Sequence, residues 1–478
     1  MSSKRAALAA LAVIVCSAPA QANITISSHA TSNMSCSNGV CAPTATDAVL
    51  NATDLEAMLA SGNVKVTTTG SGVQSNNIDV AAKFAWSNSN TLDFDAYQSI
   101  AVDKPIAVQG PGGLTLTTND GGSGGALAFT KKGHVAFKKL AGQLVINGTS
   151  FALEKSIAAM ASAIAADPSG AFALADNYDA SGDGAYTNSP ITTVLTGSVE
   201  GLGNTISNLS IRFQKGRTTY LGLFAHVGTT GSIADLRLTG LRLTLITAAG
   251  TGGLAGLNEG VLSGDAVSGI MSSKGASVGG LVGANRGTIT LSSAVAQIST
   301  PNGSGGLVAS NGGTITLSHS DSVVPAGAGL VSLNEGIVSE SYATGAATCG
   351  LVIDNQSDGT FTGQVENSYA TGAVTSAGFV CTDTPSAATV SSSYSTGAGG
   401  AGFICDLAFG TSVSSAYWDT TTSGTTDGTC NGNYAEIVGL TTQQFQSGLP
   451  DGFDPAIWAE NANINGGLPY LINNPPQS

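Results

Sequence analysis

Five glycines, at 253, 280, 306, 329 and 350, open the segments GLAGLN, GLVGAN, GLVASN, GLVSLN and GLVIDN. Each is followed five residues later by an asparagine: Asn258, Asn285, Asn311, Asn334 and Asn355. Two echoes, GFVCTD from Gly378 and GFICDL from Gly402, keep the apolar pair and lose the asparagine, and the successive glycine spacings are 27, 26, 23, 21, 28 and 24. A phosphate-cradling loop occurs once and ends in Lys-Ser or Lys-Thr; GGLVGANRG does neither. An imperfect period in the twenties marks a solenoid, whose repeats cannot bury an apolar face alone and so stack on one another.

The repeat interior selects strands. Four repeats place an aliphatic residue four after the asparagine (Leu262, Ile289, Ile315, Val338), and in TITL the threonines alternate with Ile289 and Leu291. Alternation of period two puts one face in and one out, while Gly, Asn and Ser between the strands supply turns. The expected fold is therefore all-β, a parallel right-handed β-helix. Coils about 4.8 Å apart would bring the five asparagines into register as an internal ladder, a structural role rather than a ligand site.

Ahead of the repeats, TDLEAMLASG at 53–62 predicts a short helix with Thr53 and Glu56 as its capping box and Gly62 at its end. Such a helix would cap the open edge of a β-helix. Strand-like segments from Val64 to Asn147 read as further coils, and the stretch around SIAAMASAIAA reads as a helical insertion. The expected division is a leader at 1–22, a cap and first β-helical section at 23–150, the insertion at 151–170, the repeat β-helix at 171–418 and an irregular C-terminal cap at 419–478.

Residues 1–22 have the form of a secretory signal: Lys4 and Arg5, an apolar run from Ala6 to Val15, and an A-x-A-type site ending at Ala22. No later apolar run is long enough to span a bilayer as a helix. Removing the leader leaves 15 basic and 31 acidic residues, a net charge of −16, and no Lys or Arg follows Arg286. Nucleic acid is accordingly not an expected partner, because phosphate binding needs cations. Six cysteines remain after the leader, an even number that suggests disulfides in an exported chain. Cys36 and Cys41 flank a tight Asn38-Gly39 turn. Cys381 and Cys405 share a repeat position and would be neighbours on adjacent coils, within disulfide reach; Cys349 and Cys430 would then meet through the C-terminal cap.

Catalytic patterns are sparse. The four histidines, His29, His134, His226 and His319, are scattered, with no H-E-x-x-H, and no credible G-x-S-x-G elbow is present. Asp354, Asp358, Asp383 and Asp406 fall on neighbouring coils and are the carboxylates a polysaccharide hydrolase would need in one groove. In DNYDASGDG at 176–184, Asp179, Ser181 and Asp183 before Gly184 have the spacing of the start of a calcium loop, but Pro190 stands where the closing glutamate belongs. No other cofactor is expected.

The repeats resemble the GLUG motif of large exported bacterial proteins. SYATG at 341–345 and 368–372 and SYSTG at 393–397 match its second half, and GLGNTISNLSI at 201–211 its opening segment. YWDTTTSG at 417–424 with GLTTQQF at 439–445 is similar to the ends of filamentous-haemagglutinin-like outer-membrane proteins. The resemblance spans roughly 200–478. It implies a secreted or surface protein of a Gram-negative cell, associated with the outer membrane and adhesin-like, contacting glycans, host or neighbouring cells. The expected function is thus a non-catalytic adhesin-like β-helix. The alternatives are a carbohydrate-active β-helix enzyme, which needs a carboxylate cluster in a groove, and a structural stalk.

Overall fold

The structure is a computed structural model and describes residues 23–476 apart from 131, 215–219, 247–249, 302, 358–361, 385–387, 409 and 433. The leader at 1–22, Asp358 and the side chain of Asp383 lie outside the described residues. Parallel strands stack into a β-solenoid of about 14 coils, in two sections.

In the first section the coils after the first have three strands, for example Asn77–Val80, Phe84–Trp86 and Thr91–Asp95. Each pairs in parallel with its counterpart one coil on, and Ile78, Leu92, Ile100 and Leu114 fill the interior with no exposure. Helix α1, Ala52–Ser61, replaces the middle strand of the first coil and buries Leu55 and Leu59. Its cap differs from the expected one. Asn51 accepts from the backbone N–H groups of Thr53 and Asp54, whereas Glu56 accepts from the Ala85 backbone N–H on the next coil. The helix begins as soon as the preceding strand ends, and Asn51 is among the strongest N-cap residue types.

A hairpin at Asn147-Gly148, both at positive φ, then reverses the chain. Strand Gln143–Ile146 runs antiparallel to Thr149–Glu154, and the later strands of that wall run parallel to Thr149–Glu154. Leu153 and Ala173 face the first core, whereas Phe172, Val199 and Ile233, in register with Ala152, face the second, so the second section closes on the opposite face of the shared wall. Contacts across the joint agree. Val135 donates to the Leu202 carbonyl, Phe137 to that of Ala175, and Arg237 reaches the Phe129 carbonyl at 2.8 Å. Helix α2, Ile157–Ala166, capped by Ser156, buries Ile157, Met160 and Ile164. Like α1 it stands where a strand would stand in its section's first coil.

Coils of the second section carry three principal walls, exemplified by Val282–Asn285, Thr288–Thr290 and Ser293–Ser299. Leu262, Ile289, Ile315 and Val338 are in register and fully buried, each stabilising by roughly 1.5–3 kcal/mol. The recurring glycines have a direct cause. A Cβ on Gly280, Gly306, Gly329 or Gly378 would lie 2.0–2.1 Å from the carbonyl oxygen of the repeat glycine one coil on, so only glycine lets successive backbones stack at this corner.

The solenoid also runs further than expected. Ile437–Leu440 pairs in parallel with Ser412–Asp419, adding a coil beyond 418. The chain after Leu440 does not cross the open end but folds back along the side of the last coils.

Candidate functional site

The ladder forms as read. The Nδ2 groups of Asn258, Asn285, Asn311 and Asn334 each donate at 2.8 Å to the Oδ1 of the next asparagine, ending on Asn355. All five are at most 1% exposed, and Asn258, Asn311 and Asn334 also accept from turn backbone N–H groups. Buried, saturated amides are architecture, with nothing left for a ligand.

A second ladder was not visible in the sequence. The Ser318 Oγ accepts from the Ser292 N–H, and Ser341, Ser368 and Ser393 repeat the contact coil by coil. The residue before each serine takes positive φ: Leu291, Leu317, Glu340, Asn367 and Ser392. None of the five is a glycine, so no composition signal marks the bend.

Outward on the third wall, His319, Tyr342, Tyr369 and Tyr394 stack face to face, with centroids 4.8, 4.8 and 5.2 Å apart. Tyr342, Tyr369 and Tyr394 come from the SYATG and SYSTG segments. The C-terminal strap covers this row with Phe445, Phe453, Trp458 and Leu471. The hydroxyls of Tyr394 and Tyr417 donate to the Pro469 and Asp451 carbonyls at 2.7 and 2.8 Å. Asn474 reaches as far back as the Ser318 and Glu340 carbonyls.

All six cysteines are paired, with two pairings other than those expected. Cys36–Cys41 closes the small loop. Cys349 bonds Cys381 across 5.5 Å between Cα atoms, and Cys405 bonds Cys430 across 4.5 Å. Cys381 and Cys405 do lie on adjacent strands in register. Cys349, however, ends the strand before its corner glycine and meets Cys381 just past the corner of the next coil, while the extra coil brings Cys430 beside Cys405. Three disulfides belong to an oxidising compartment.

The calcium-like segment holds no gathered ligand set. Asp179 accepts from the Ser181 N–H and from Asn208, and Asp183 accepts from Tyr178 and, at 2.7 Å, from Tyr186. Its carboxylates cap a 3-10 turn and anchor two phenols. Among the described residues no three His, Cys, Asp or Glu side chains are grouped to hold a metal ion. Of the four hydrolase candidates, Asp354 and Asp406 are the two whose side chains are described. Thr382 lies between Asp354 and Asp406 in their column, leaving them about 9.6 Å apart at two coil rises, and Asp406 accepts from Asn431.

The carboxylates that are unusual were missed, because single acids in turns carry no pattern. Glu200, Asp235 and Asp265 lie on successive coils beside the joint. Burial raises all three; Glu200 also feels the charges of Asp235 and Asp265, and Asp265 that of Asp235. Asp235 is pushed from 3.8 to about 7, against the opposing pull of Arg237. A carboxyl that holds its proton more tightly folded than unfolded favours the fold below its unfolded pKa. That contribution is lost as pH rises through the folded value. Melting temperature is therefore expected to fall as pH rises through this window, and Asp235→Asn to flatten the dependence, a substitution the positive φ at 235 accepts. Thermal melts across the window check this; an unchanged slope in the variant contradicts it.

The remaining long feature is the outward side of the Thr288–Thr290 wall. From Ser232 to Ser414 eight coils contribute paired outward positions in unbroken register. Of these sixteen positions eleven are Ser or Thr, and Glu366 is the one charge. The strap covers the neighbouring wall. Val261 is 44% and Ile337 36% exposed, so this wall faces solvent.

No family model, curated protein or solved structure matches the chain. The fold defines its class, a disulfide-bonded parallel β-solenoid. Among the described residues no helix is long and apolar enough to cross a membrane.

Proposed function

We propose that this is an exported, non-catalytic, adhesin-like β-solenoid that holds a repeating extracellular ligand, a glycan, against its own repeating columns of side chains. The observation that carries the reading is the register of the hydroxyl wall: one chemistry displayed at one spacing over eight coils suits a ligand that itself repeats. The three disulfides, the leader-like first 22 residues and the resemblance to GLUG-bearing exported proteins support export and surface contact. Asp354 and Asp406, with Thr382 between them, stand well beyond the roughly 5–5.5 Å of a retaining carboxylate pair, which favours binding over that form of hydrolysis.

The test is a screen of the purified protein on an array of glycans and matrix proteins. Retention on a class of polysaccharide is the expected result. Silence across the array would leave a structural stalk as the better reading.

A further inference from the structure

The hydroxyl wall says more about its ligand than that it repeats. The sixteen outward positions carry one charge, no aromatic ring and mostly short side chains. Glycines 260, 287, 313, 336 and 363 lead into these strands from one side, and the charged Glu259, Arg286 and Glu335 stand one residue further out. Glu366 is the one charge among the sixteen positions. Thr288 and Thr290 stand over Thr314 and Thr316 one coil on, and Thr389 and Ser391 repeat the pair three coils later. Successive pairs are separated by about 4.8 Å along the axis, and the two members of a pair by about 6.6 Å along the strand.

These features restrict the ligand. It is neutral, because the wall offers a single charge, Glu366, over eight coils. It depends on hydroxyl hydrogen bonds, because the wall has no ring for a sugar to stack on. It is extended, because the eight coils span about 34 Å in a straight line. In an extended β-1,4-linked polysaccharide each sugar advances by nearly one coil rise and presents hydroxyls along both edges.

We propose that the outward face of the Thr288–Thr290 wall binds a neutral, extended β-1,4-linked polysaccharide lying along the solenoid axis, one sugar per coil. The assignment rests on the glycan reading above and adds the face, the orientation and the linkage class. Each coil contributes weakly, and affinity accumulates because later contacts are made by an already tethered chain.

The experiment measures binding of β-1,4-linked gluco-oligosaccharides and their N-acetylglucosamine counterparts, two to ten sugars long, to the full-length protein and to a Thr290→Lys/Thr316→Lys variant. The wild type is expected to bind eight sugars at least about tenfold more tightly than four, with no gain beyond eight. The lysine variant, checked for native circular dichroism and melting, should lose about tenfold or more on the eight-sugar ligand. A Thr290→Ser/Thr316→Ser variant keeps the hydroxyls and should retain the binding. An affinity independent of length, or equal affinity in the lysine variant, would overturn the placement while leaving an adhesin active on the array intact. Failure to bind either series, or partition into growing ice instead, would overturn the ligand class.

Discussion

Asn311→Ala is expected to destabilise the protein by about 3 kcal/mol or more, measured as a shift in the urea midpoint. The asparagine sits mid-ladder, 0% exposed. Its Oδ1 accepts from Asn285 and from the Gly313 N–H, and its Nδ2 donates to Asn334 at 2.8 Å. Truncation strands groups on both neighbouring coils where water cannot replace the lost partner, and unsatisfied buried groups cost more than the bond itself contributes. Asn311→Asp separates this cause from packing. The carboxylate still accepts from Asn285 but has no proton for Asn334, so its loss at neutral pH should diminish on acidification as the carboxyl gains one. Thr314→Ala, on the outward side of the neighbouring strand, should change stability by no more than about 0.5 kcal/mol. Equal effects from Asn311→Ala and Thr314→Ala would refute the ladder.

Trp458→Ala should release the C-terminal strap without dissolving the solenoid. The indole is 1% exposed, packs 4.5 Å from Phe453 and 5.9 Å from Tyr394 between centroids, and donates to the Asn367 side chain. Removing a buried tryptophan costs about 3–5 kcal/mol, and the strap beyond Leu440 has only short strands and turns of its own to offset it. Rapid proteolysis after Leu440 with an unchanged far-ultraviolet β spectrum is the expected pattern, with the uncovered tyrosines becoming accessible to solvent quenchers. A strap that stays protected, or a variant that unfolds as a whole, would show that strap and coils form one cooperative unit.

The features legible in the sequence are those that every coil must repeat. Glycine at the tight corner, asparagine five residues on and an aliphatic residue four beyond that are each imposed by stacking, so the constraint is written coil by coil from 253, the asparagine as far as 355 and the aliphatic spacing as far as 338. Events that happen once leave weaker traces. The reversal at Asn147-Gly148 uses an ordinary hairpin dipeptide, and nothing local distinguishes it from other turns between coils. Cys349 belongs to a different point of its coil from Cys381, so a pairing across the corner could not be found by aligning repeats. The row from Tyr342 to Tyr394 is obvious in SYATG and SYSTG, but its covering comes from Phe445, Phe453 and Trp458, distant in sequence and without repeat spacing. Buried acids such as Asp265 are individually indistinguishable from solvated turn acids; only the fold places them inside.

The central claim is that the repeating surface binds and does not cut. It is tested most directly by incubating the protein with whichever polysaccharide it retains and comparing the polymer's chain-length distribution before and after. Retention with an unaltered distribution is the predicted result. Shortened chains would contradict the account, and Asp354→Asn and Asp406→Asn would then be the first variants to examine.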